Sequence, residues 1–161
     1  MRIHFVVFGI CLLSIVPMAS RAQFRSSCPF ITAEEAATIL GGKATRSEEA
    51  YVCTYALPGK IVTLVVALQS AGGSDSFIFN DSKREFIGKG ALVKDEAGIG
   101  AAAFSFVNGD RDGRGSGFFV LIKGSGVLMI ILQEQKFTGT PKSTERLDKL
   151  RPFIKRAVGR V

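Results

Sequence analysis

The chain holds few groups that could do chemistry. It has a single histidine, His4, and three cysteines, Cys11, Cys28 and Cys53. Three carboxylate pairs, Glu34/Glu35, Glu48/Glu49 and Asp95/Glu96, are the only obvious material for acid–base work. None lies within an apolar run that would bury it and raise its pKa toward neutrality. Gly98-Ile99-Gly100-Ala101-Ala102-Ala103 fits the dinucleotide pattern G-x-G-x-x-A. That motif needs a buried strand before it and a helix after it, whereas Lys94-Asp95-Glu96 precedes it here, so the segment reads as a turn. Asn108-Gly109-Asp110-Arg111-Asp112-Gly113 imitates the start of a calcium loop. Position twelve, where a bidentate Glu belongs, is Phe119, and Arg111 and Arg114 bring positive charge. It reads as a solvated hairpin loop.

The start of the chain is an address. Arg2 and His4 precede the apolar run Phe5 to Pro17, and Ser20-Arg21-Ala22 supplies small residues where a signal peptidase cuts. The apolar run is 13 residues, short of the ~20 needed to span a bilayer. Residues 1–22 are therefore expected to be a signal peptide, cleaved before Gln23, and residues 23–161 a single domain that is periplasmic or secreted. Neither Cys11 nor Cys28 follows an apolar, small-residue run of the kind that marks lipid attachment.

Cleavage changes what chemistry remains. The formal charge falls from +7 to +5, two cysteines remain, and the histidine is lost. No Ser-His-Asp or Cys-His arrangement can then be built, nor a zinc site of the usual histidine or paired-cysteine kind. No metal and no cofactor are expected. An even pair of cysteines in an exported chain, without C-x-x-C spacing, reads as a Cys28–Cys53 disulfide.

Ordered elements must carry what is left. Thr32-Ala33-Glu34-Glu35 is a capping box, and Gly41-Gly42 a stop, so a helix is expected over Ala33–Leu40. Glu49–Leu57 and Ile61–Leu68, joined at Pro58-Gly59, read as a hairpin. Ser76–Ile87 reads as a helix, Ala91–Gly100 as loop, and Ala102–Val107, Phe118–Lys123 and Val127–Gln133 as a meander. A last helix starts at Thr144 with Leu147, Leu150, Ile154, Val158 and Val161 on one face, and Pro152 should kink or restart it. The fold class implied is α+β: one mainly antiparallel sheet of about five strands with helices packed on one face.

Candidate ligand contacts are Tyr51 and Tyr55, which flank Cys53 at strand spacing, and Arg111 and Arg114 in the polar loop. The last helix carries Arg146, Lys149, Arg151, Lys155, Arg156 and Arg160. This reads first as a solvated face with cations near the helix C-terminus, and second as a surface for an anionic membrane or cell-wall polymer.

Cys28-Pro29-Phe30 leading into Ala33–Gly41, then Cys53-Thr54-Tyr55, Gly98-Ile99-Gly100, Ala103-Phe104, Val120–Gly124 and Val127–Ile130, with a closing Leu147/Leu150 helix, form a familiar order. It resembles a broad group of small exported bacterial domains without assigned function, often lipoproteins. It is also similar in layout to the extracellular sensor-like domain of some mycobacterial receptor kinases. The resemblance implies an antiparallel sheet with packed helices and a paired cysteine near the start, and carries over no catalytic residues. The acidic residue often found after the Gly-x-Gly bend is here Ala101.

The functional expectation is a soluble exported, non-enzymatic binding module. Its partner would be an envelope protein, a small molecule or an anionic polymer, with no nucleic acid. One alternative is an inhibitor of an exported enzyme, presenting a loop such as Asn108–Gly117. Another is a histidine-free hydrolase or transferase using carboxylates, Lys, Tyr or Ser.

Overall fold

A computed structural model describes residues 28–60, 62–108, 115–134 and 140–161. The expected signal peptide and the two loop arginines, Arg111 and Arg114, lie outside the described residues. A short 3-10 turn, Cys28–Phe30, leads into helix α1, Ala33–Leu40. The capping box is complete. The Glu35 amide donates to Thr32 Oγ1 at 3.2 Å, and the Thr32 amide donates to Glu35 Oε2 at 3.0 Å. Gly41 closes the helix in the left-handed conformation, φ 77°, which costs a residue without Cβ little.

Three strands follow: β1 (Thr45–Glu49), β2 (Val52–Ala56) and β3 (Val62–Gln69). Helix α2 spans Asp75–Gly88. Then come β4 (Leu92–Asp95), β5 (Ala102–Val107), β6 (Gly115–Ile122) and β7 (Gly126–Glu134), and helix α3 (Thr140–Val158) closes the chain. All strands join one antiparallel sheet in the order β1-β2-β3-β7-β6-β5-β4. The α+β class with a single antiparallel sheet is as expected.

The sheet has seven strands among the described residues, two more than apolar patterning predicts. The extra two, β1 and β4, are its edges. β1 is exposed along its whole length, and β4 is exposed except at Val93. A strand that buries almost nothing carries no apolar alternation to be read.

The helices also lie on both faces rather than one. Leu64, Val66, Val120, Leu128 and Ile130 point to the side where α1, α3 and the 3-10 turn pack. Phe104, Phe106, Phe119 and Val127, the alternate positions, point to α2 and meet Phe79 and Phe86. Phe104 and Phe119 stack at 5.0 Å, and Phe86 lies 4.1 Å from Phe106 and 5.4 Å edge-on to Phe119. The core is therefore two apolar layers, one on each side of the sheet.

The last helix begins at Thr140, before the expected Thr144, and continues through Pro152. Leu147, Leu150, Ile154 and Ala157 are all buried, so packing holds the segment helical where proline removes one backbone bond. No described helix is long and apolar enough to cross a membrane.

Candidate functional site

Three places gather side chains that could have a function. The first surrounds the cysteine pair. Cys28 and Cys53 are joined, as expected, with Cα atoms 5.0 Å apart. Tyr55, two residues on, is buried on the same face. Its hydroxyl donates to the Ile31 carbonyl, with the Cys28 carbonyl 3.2 Å away. Burial pushes its phenol pKa up. The side chain is a latch that holds the N-terminal turn against β2. Tyr51 lies in the β1–β2 turn and is exposed, so the two tyrosines do not form one ligand surface. Ala50 beside it takes φ 53°, a left-handed conformation unusual for a residue with a Cβ.

The second place is a buried polar cluster beneath α3. Glu96, just after β4, accepts from Ser105 Oγ at 2.8 Å, from Arg151 Nε at 3.1 Å and from Arg151 Nη2 at 2.9 Å. The same guanidinium pairs with Asp148 and lies 5.8 Å from the Phe118 ring centre. Burial alone would raise the Glu96 pKa. The hydrogen bonds from Arg151 and Ser105, with the charge of Arg151, outweigh it and hold the carboxyl below its ordinary value. This is a carboxylate kept ionised and saturated, the reverse of the raised pKa a general acid needs. The bend that brings Glu96 here is the Gly98–Gly100 turn. Gly98 and Gly100 both have positive φ, and a Cβ at Gly100 would come within 2.7 Å of the Leu121 carbonyl oxygen. The dinucleotide-like pattern is thus a β4–β5 turn.

A matching pair closes the other end of α3. Glu35 accepts from Arg156 Nε at 2.9 Å and from both Arg160 Nη atoms, at 2.6 and 2.9 Å, and Arg160 also donates to the Phe30 carbonyl. Hydrogen bonding from Arg160, against the opposing effect of burial, lowers the Glu35 pKa to about 2. The basic face of α3 is thereby largely compensated in place. Arg151, Arg156 and Arg160 hold Glu96, Asp148 and Glu35, and Lys149 pairs with Glu145.

This arrangement sets an acid limit. A carboxyl with a depressed folded pKa contributes stability that is present above its unfolded value, near 4.5, and lost as pH falls toward about 2. Arg156 is half exposed, so solvent screening reduces the contribution to about 1–2 kcal/mol. We expect Glu35→Gln to lower stability by that amount at pH 7 and to flatten the loss between pH 4.5 and 2. Urea unfolding at a series of pH values measures it, and identical profiles for both proteins would refute the role.

The third place is a surface. Helix α2 packs over β4, β6 and β7, while on the corresponding side β2 and β3 are largely half-buried and β1 is exposed. Strand register puts Val52, Thr54 and Ala56 of β2 beside Thr63 and Val65 of β3, with Thr45, Ser47 and Glu49 of β1 at the margin. Glu49 is the one charged side chain among these residues. Helices on one face alone would leave the whole second face open; α2 covers the side of β4, β6 and β7 and confines the open surface to β1–β3.

No protein-family model, no curated protein and no solved structure matches the chain.

Proposed function

We propose that the protein is an exported, non-enzymatic binding module that meets a protein partner through the open half of its sheet. The carrying observation is the composition of that surface. A chain with a formal charge of +7 and 22% charged residues sets a half-buried field of valine, threonine and alanine there, with a single acid. Depletion of charge at the centre of a flat surface is how protein interfaces differ from ordinary surface. An anionic polymer would instead be drawn to uncompensated cations, and most of the arginines of α3 are held by carboxylates.

Export is supported by the Cys28–Cys53 bridge, since disulfides persist in oxidising compartments. A non-enzymatic role is supported by the state of the two best-buried carboxylates. Glu35 and Glu96 are each committed to arginine and held ionised.

The test compares the protein with Val65→Lys in chemical cross-linking on intact cells of the producing organism. Val65 is half-exposed, so lysine there adds charge to the surface without filling the core. The expected result is a discrete cross-linked partner with the unaltered chain that is lost, by at least tenfold, with Val65→Lys. Equal cross-linking by both, or none by either, would overturn the reading.

A further inference from the structure

We infer that β1 pairs with the β1 of a second copy, joining two sheets edge to edge in a twofold dimer; this inference stands independently of the proposed partner surface. Among the described residues β1 is the terminal strand of the sheet and is hydrogen-bonded to β2 alone. Its outer edge presents backbone donors and acceptors with no described strand beside them. Proteins usually block such an edge with charge. The charges of β1, Thr45-Arg46-Ser47-Glu48-Glu49, have an order that blocks other partners and admits its own copy.

The geometry follows from antiparallel pairing. Residues opposite one another share a face, so a twofold axis perpendicular to the sheet must lie midway between one residue of β1 and the same residue of the second copy. With the axis at Ser47, all five residues pair. Arg46 faces Glu48 of the partner subunit, the partner's Arg46 faces Glu48, and Thr45 faces the partner's Glu49. The two neighbouring registers fail. An axis at Arg46 sets arginine on arginine, and an axis at Glu48 sets glutamate on glutamate, and like charges directly opposite destabilise a sheet. One register therefore satisfies both charges twice. Arg46 and Glu48 are both exposed, and neither forms an ion pair with another described residue, so both are available for it. The opposite edge lacks this pattern. β4 has four residues, and its Asp95 is held by Lys83 of α2.

Five paired residues bury less than the roughly 1,200 Å² of a stable interface, so the dimer is weak, with a Kd of about 10–1000 µM. The axis keeps like faces on one side, so the two open half-sheets would become one surface of twice the width.

Sedimentation equilibrium of the protein as exported by its expressing host, from about 10 µM to 1 mM at low salt, reads the association. The expected result is a monomer–dimer equilibrium that weakens as salt rises. Arg46→Glu and Glu48→Arg should each weaken it about tenfold, and the double exchange Arg46→Glu/Glu48→Arg should restore it to within about threefold. Arg46→Gln and Glu48→Gln, which remove charge without reversing it, should each weaken it by about threefold and stand in for any reversal that does not fold. A chain that stays monomeric at 1 mM would overturn the inference. So would a dimer indifferent to the single changes, or a double exchange as weak as either single one.

Discussion

The double variant Cys28→Ala/Cys53→Ala is expected to lose about 3.5 kcal/mol of stability, from the entropy of closing a loop of 25 residues in the unfolded chain. The bridge acts with other ties on one short segment. The turn Cys28–Phe30 and the following Ile31 are held by the disulfide, by the Tyr55 hydroxyl and by Arg160 on the Phe30 carbonyl. Through Arg160 and Glu35 the same segment is bound to α1 and α3. Releasing the covalent tie leaves the turn on two hydrogen-bonding groups whose geometry it had set, so Phe30 and Ile31, both buried, are the next contacts to open. Urea denaturation of the oxidised protein, the reduced protein and the double variant measures the effect. Reduced and double-variant proteins should agree with one another and fall well below the oxidised form. A difference under 1 kcal/mol would show that the bridge does not hold the fold. Alkylation before reduction should leave Cys28 and Cys53 unmodified.

What is legible in the sequence divides along burial. The α1 helix was legible to the residue, because the Thr32–Glu35 box and Gly41 are local devices that need no tertiary context. The strand Ala102–Val107 was equally legible, as was the hairpin across Pro58-Gly59. The edge strands were not, since Thr45–Glu49 buries nothing and Leu92–Asp95 almost nothing. A signal for the second helical layer was nevertheless present. In Phe106-Val107 and Phe118-Phe119 bulky residues occupy positions of both parities, and a strand with apolar groups on both sides must be covered on both sides. Reading these strands as one-sided places all helices together and leaves a whole face open, of which α2 covers the part over β4, β6 and β7. The arginines of α3 show a different limit. Their number was visible, but their partners, Glu35 and Glu96, lie far away in sequence, and no local pattern reports such pairs. The tyrosines show the same limit, because spacing placed Tyr51 and Tyr55 together and the β1–β2 turn separates them.

Replacing Glu96 by alanine is expected to lower stability by about 3 kcal/mol, the cost of leaving a partly buried charge without its partner. The side chain of Glu96 is 8% exposed and that of Arg151 29%. Without the carboxylate, Arg151 keeps only Asp148, which is itself mostly exposed, and the Ser105 hydroxyl, buried within β5, loses its acceptor. The cluster resembles a reactive one, with a serine hydroxyl on a carboxylate that is oriented by a third group. Its energetics separate the two cases. In a structural cluster the loss follows the ion pair. Arg151→Met alone should then cost about as much as Glu96→Ala, and the two together should cost clearly less than their sum, because each single change already forfeits the same interaction. Glu96 also has a folded pKa below its ordinary value, so its contribution is present above the unfolded carboxyl value and lost as pH falls through the folded one. Acid should therefore unfold the unaltered protein more steeply than Glu96→Ala. Additive losses, or a loss under 1 kcal/mol for Glu96→Ala, would mean that α3 is not anchored here, and the Ser105–Glu96 contact would then need a role other than holding the terminal helix to the sheet.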